Sequence, residues 1–63
     1  MINQDILRID TKRIKWEYGI TYKEIAEDLL DMNYRAFINW IHNRCDLSSG
    51  RASSLREYID CFL

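Results

Sequence analysis

Proline is absent from these 63 residues, and glycine occurs only twice, at Gly19 and Gly50. Proline breaks helix interiors and glycine weakens them, so their scarcity leaves long stretches free to be helical. Cysteine is also scarce. Cys45 and Cys61 stand far apart with no second pair, which excludes a four-cysteine zinc site and argues against a secreted disulfide scaffold. Two free thiols are expected, one in a loop and one near the end of the last helix. The single histidine, His42, has no cysteine or carboxylate at metal-ligand spacing, so no metal ligand is assigned. Nor does one histidine assemble with Ser48, Ser49, Ser53 or Ser54 into a nucleophile, base and orienter. No catalytic residue, no enzyme activity and no cofactor are expected.

Long apolar runs are missing too. None approaches the roughly 18 residues of a membrane span, and Met1-Ile2-Asn3-Gln4-Asp5 lacks the basic start and apolar stretch of a signal peptide, so the expected location is cytoplasmic, away from membranes. What is present is apolar side chain: 48% of residues are hydrophobic and 13% aromatic, too many for a disordered tail. A chain of this size buries only about 60% of its unfolded surface, which gives a small core and no deep substrate cavity. Nine basic and ten acidic residues give a net charge of −1, which by itself argues against a nucleic-acid partner. Their distribution is uneven. Lys12, Arg13 and Lys15 cluster early, Arg35, His42, Arg44 and Arg51 fall late, and Glu24, Glu27, Asp28 and Asp31 crowd the middle, which leaves room for one basic face.

With no repeat, linker or low-complexity stretch, residues 1–63 are expected to form a single all-α domain of four or five helices. Thr21 and Glu24 have the spacing of a capping box, with Ile20 and Ile25 as its hydrophobic staple. Asn33 is a second N-cap, stapled by Met32 and Phe37, and Ser48 a third, flanked by Leu47 and Ala52. Gly19 is the natural terminator of a first helix that takes in about Thr11 to Tyr18. Residues 1–10 extend that helix or form an N-terminal arm; Ile6, Leu7 and Ile9 also allow a short strand, with helix the favoured reading. The final helix, about residues 49–61, carries Ala52, Leu55, Ile59 and Phe62 as one apolar stripe. Expected core residues are Ile14, Ile25, Ala26, Leu29, Phe37, Trp40, Leu55 and Ile59.

Between Thr21 and Arg44 two helices of roughly eight to ten residues are joined by three or four, the layout of a helix-turn-helix. Ile25, Ala26 and Leu29 form the inward side of the first; small Ala26 suits a close helix crossing. Phe37, Trp40 and Ile41 face inward from the second, which leaves Tyr34, Arg35, Ile38 and Asn39 on or near its outward face.

The segment Trp16-Glu17-Tyr18-Gly19-Ile20-Thr21-Tyr22-Lys23-Glu24-Ile25-Ala26-Glu27 resembles the start of the phage-repressor (Cro and XRE type) helix-turn-helix family. There a glycine, an apolar residue, a capping hydroxyl and an apolar-alanine pair recur in this order. Phe37-Ile38-Asn39-Trp40-Ile41-His42-Asn43-Arg44, followed by Asp46-Leu47-Ser48, is similar to the end of that family's recognition helix and the loop beyond it. The resemblance spans about Thr11 to Ile59. Leu30-Asp31 stands where the family has a glycine, in a turn one residue longer than its common form. The resemblance implies sequence-specific binding of double-stranded DNA by a small transcriptional regulator, with the second motif helix, about residues 33–42, in the major groove. Asn33, Tyr34, Arg35 and Asn39 would then contact bases, and Tyr22, Lys23, His42 and Arg44 phosphates. A homodimer through the C-terminal helix would double the contact. The alternative, which the acidic balance and an outward Ile38 favour, is a protein-binding module of the same shape. Such a module would be a small phage or mobile-element protein that occupies a host factor.

Overall fold

Asn3 opens the first helix: its side-chain oxygen accepts the backbone N–H groups of Asp5 (2.9 Å) and Ile6 (3.1 Å), two of the donors that a helix start leaves unpaired. In the computed structural model, which describes residues 2–63, α1 runs Gln4–Tyr18. It ends at Gly19, whose φ of 69° is the left-handed conformation that glycine adopts without a Cβ clash. Of the alternatives open for residues 1–10, the helix extension is the one observed from Gln4 onward; Met1 lies outside the described residues.

Thr21 caps the second helix by accepting the Glu24 N–H at 3.1 Å. This helix, α2, makes one α-helical turn, Tyr22–Glu24, and continues as a π-helical stretch, Ile25–Leu29. There the Leu30 N–H donates to the Ile25 carbonyl five residues back at 3.0 Å, and the Met32 N–H reaches the Ala26 carbonyl at 2.9 Å. The wider turn moves the inward register by one residue. Leu29, expected in the core from an uninterrupted 3.6-residue period, is only half-buried, and Leu30 takes the core position at 5% exposure. In the same turn Asp31 sits at φ 49°, so an aspartate supplies the left-handed residue, a conformation that short polar side chains tolerate better than branched ones. Arg51 holds the turn by donating to the carbonyls of Leu30 and Asp31, both at 3.3 Å.

Asn33 then caps α3 (Tyr34–Ile41) and Ser48 caps α4 (Ser49–Asp60), each through a side-chain oxygen on a backbone N–H. All four helices feed one buried apolar cluster, to which Leu7 and Ile14 come from α1, Phe37, Trp40 and Ile41 from α3, and Ala52, Leu55 and Ile59 from α4. Of the expected core residues only Leu29 falls outside it. Burial of this set is the main favourable term in so small a fold, on the order of 1.5–3 kcal/mol for each large side chain. Arg56 ties α4 to α1 through Asp10 at 2.8 Å. Beyond it, the ring of Phe62 lies 4.9 Å from that of Tyr18, whose hydroxyl donates to the Phe62 carbonyl at 2.8 Å.

The result is an all-α domain of four helices, with no strand among the described residues. Its radius of gyration, 10.4 Å, matches the roughly 11 Å of a folded chain this long. Cys45, in the loop after α3, and Cys61, at the end of α4, are both free and exposed. Among the described residues no helix is long and apolar enough to cross a membrane.

Candidate nucleic-acid interface

Residues 32–45 contain no carboxylate, and α3 lies at their centre. Because Phe37, Trp40 and Ile41 commit one face of α3 to the core, the opposite face is left to Tyr34, Arg35 and their neighbours. Tyr34 and Arg35 are exposed there, and the Arg35 guanidinium makes no hydrogen bond among the described residues. Asn33 is exposed as well, with its side-chain oxygen accepting the Arg35 N–H at 2.8 Å. Asn39 and Ile38, both expected to face outward, are half-buried. Asn39 is also engaged: its side-chain oxygen accepts from Arg44 Nη1 at 3.3 Å. His42 is exposed at the end of α3. After it Asn43, at φ 63°, turns the chain so that the Arg44 N–H closes on the Asn39 carbonyl at 2.9 Å.

The starts of α2 and α3 lie side by side. Tyr22, in the first turn of α2, has its ring 5.8 Å from that of Phe37. Burial raises the pKa of the Tyr22 hydroxyl, and the Tyr34 hydroxyl raises it further. Lys15 reaches over from α1, its ammonium 5.2 Å above the Tyr22 ring and 5.1 Å above that of Trp16. Lys23 follows Tyr22 and is exposed. Of the eight expected contact residues, Asn39 and Arg44 are hydrogen-bonded to each other, Tyr22 packs on Phe37, and Asn33, Tyr34, Arg35 and His42 lie exposed on or beside α3, with Lys23 exposed on α2.

Two residues that set the position of α3 carry no recognition pattern in the sequence. Arg8, on α1, is 5% exposed and donates from Nε to the Trp40 carbonyl at 2.6 Å. Its Nη2 donates to the Cys45 carbonyl at 2.7 Å and to Asp46 at 3.2 Å, and its Nη1 to Asp5 at 3.0 Å. The guanidinium also stacks 5.3 Å from the centre of the Trp40 ring. One side chain thus satisfies carbonyls at the C-terminal end of α3 and in the loop beyond it, where a helix end leaves acceptors unpaired. Gln4 does the same for Trp40 and Leu47: its side-chain oxygen accepts the Trp40 indole N–H at 2.8 Å and the Leu47 N–H at 3.2 Å, and its amide donates to the Leu47 carbonyl at 3.3 Å. The only signal available beforehand was Asp5 three residues ahead of Arg8, a pairing that looks like ordinary helix-surface charge.

The chain matches no known family model, no curated protein and no solved structure. Guanidinium, amide, phenol and ammonium groups are presented along one helix and at the start of its neighbour, and no three His, Cys, Asp or Glu side chains converge anywhere among the described residues.

Proposed function

We propose that α2 and α3 act as a helix-turn-helix and that the protein binds double-stranded DNA sequence-specifically as a small transcriptional regulator. The observation that carries this reading is the outward face of α3, which is free of carboxylates and presents Tyr34 and Arg35, with Tyr22 and Lys23 at the start of α2 next to it. A major groove about 12 Å wide accepts one helix, and there Arg35 suits a guanine edge and Asn39 an adenine edge. Asn33 and Tyr34 enter with the first turn of α3, while Tyr22, Lys23, His42 and Arg44 flank it at phosphate level. Asn39 needs both its oxygen and its amide to read adenine. Arg44, which holds that oxygen at 3.3 Å in the free protein, therefore has to move to a phosphate on binding.

Selection from randomised duplexes, followed by titration at two salt concentrations, tests this. Arg35→Ala and Asn39→Ala are each expected to lose about 1–3 kcal/mol at the preferred site and little on random DNA, whereas Lys23→Ala weakens both about equally. With a net charge of −1 the salt dependence should be shallow for one copy. No enriched sequence and no salt-sensitive binding would end the proposal. Pairing of two copies through α4, which would place two recognition helices on successive half-sites, would have to use Tyr58, Phe62 and Leu63, because Ala52, Leu55 and Ile59 are already buried in the chain's own core. The second reading, a protein-binding module, is favoured by a different surface: the outer side of α1, where Ile6, Ile9 and Trp16 are open to solvent.

A further inference from the structure

The inner face of α1 buries Leu7, Arg8, Thr11 and Ile14, and Arg8 bonds from it to α3. Its outer face carries Ile6, Ile9, Arg13 and Trp16 at successive spacings of three, four and three, the interval at which one helix offers a seam to another. None of the apolar members of this seam is covered: Ile6 is 52% exposed, Ile9 62% and Trp16 81%. A half-exposed isoleucine alone is ordinary, but three large apolar side chains in register along one helix leave a face without a partner. The centre of the seam is cationic. Lys12 is exposed and makes no ion pair among the described residues, and Arg13 pairs only with the equally exposed Glu17 at 3.1 Å.

We propose that this face of α1 docks an amphipathic helix of another protein, one whose apolar anchors lie over Ile6, Ile9 and Trp16 and whose carboxylates meet Lys12 and Arg13. The charge pattern selects this occupant over a second copy of the chain. Two α1 helices in parallel set Arg13 against Arg13, and in antiparallel they set Arg13 on Ile9 and bring the two Lys12 ammoniums together. A nucleic-acid backbone is disfavoured by the exposed isoleucines, which offer phosphates only apolar surface. The inference stands whether or not α3 reads DNA, because the face of α1 that contacts α3 is the opposite one.

The test uses the whole protein and a synthetic amphipathic peptide of about 18 residues, five helical turns, with leucines at the seam spacing and glutamates beside them. A twin peptide carries lysines in place of the glutamates. Calorimetric titration is expected to show the acidic peptide binding at least about tenfold more tightly than its twin. Trp16→Ala should weaken it about tenfold, as expected for a central aromatic anchor, with the helical circular dichroism of the free protein unchanged. Arg13→Glu should reverse the preference between the two peptides. Equal binding of both peptides, no binding, or an unaltered preference in Arg13→Glu overturns the proposal. So does sedimentation of the protein alone as a dimer that Trp16→Ala dissociates, or displacement of the peptide by duplex DNA. Loss of sequence-specific DNA binding in Arg35→Ala with peptide binding intact separates this surface from the α3 reading.

Discussion

The two ends of α3 are built in opposite ways. At the C-terminal end the Trp40 carbonyl, the Cys45 carbonyl and the Trp40 indole are each bonded by a side chain from α1, Arg8 or Gln4, over sequence separations of 32 to 37 residues. At the N-terminal end the only side-chain bond among the described residues is local, from Asn33 two residues back, and Tyr34 and Arg35 are exposed. A helix fixed in this manner is bonded from α1 at one end and, at the other, leaves the Arg35 guanidinium without a hydrogen bond among the described residues. Stability and the proposed recognition are thus separated along eight residues, and substitutions at the two ends should fall into different classes of effect.

The sharpest way to break this contrast is Arg8→Ala, which removes a nearly buried cation from four carbonyl or carboxylate partners and uncovers one face of Trp40. About 3–5 kcal/mol should be lost, out of the roughly 3–9 kcal/mol expected for a fold of this size, and the midpoint of a thermal melt should drop by at least about 15 °C. A melt unchanged from the parent would mean that the clamp is decorative. Gln4→Ala comes next, at about 1–3 kcal/mol, because it strands the indole N–H of a tryptophan that is 0% exposed. Urea unfolding followed by tryptophan emission would report it. At the open end, Asn33→Ala should cost about 1 kcal/mol through loss of the cap alone, and Arg35→Ala should stay within about 0.5 kcal/mol of the parent while altering DNA discrimination. A large stability loss from Arg35→Ala would erase the distinction between the ends. The smallest effect concerns Tyr22. Because its pKa is raised in the folded protein, the stability it contributes is complete below its ordinary value of about 10 and is lost as pH rises through the raised value. Tyr22→Phe should therefore lose less stability than the parent in urea midpoints compared between pH 8 and pH 11.

The open end of α3 was largely legible in the sequence, and the clamped end was not. Thr21, Asn33 and Ser48 announced three helix starts because an N-cap acts through its own side chain on a backbone group two or three residues away. Gly19 marked the end of α1 for an equally local reason. Phe37, Trp40, Leu55 and Ile59 followed from periodicity. Arg8 escaped because its main partners are backbone carbonyls, which every residue carries, so nothing in the sequence distinguishes a clamping arginine from a solvated one. Leu30 escaped for another reason. The inward register of α2 depends on a π-helical turn whose extra residue is visible only as hydrogen bonds, and an even period points to Leu29 instead. The unusual length of the turn before α3 was apparent, but not that Asp31 would stand in for glycine there.

That π-helical stretch implies something about how the chain tolerates changes of length. A turn that already holds one residue more than an α-helix needs is a place where a residue can be excised without displacing either flank. Deleting exposed Glu27 should let Ile25–Leu29 tighten into regular α-helix, carry Leu30 into the slot that periodicity had reserved for its neighbour, and leave α3 where Arg8 and Gln4 hold it. The same deletion inside α3 or α4 would rotate every later side chain off its face. In α2 alone, frame and fold are uncoupled by one amino acid.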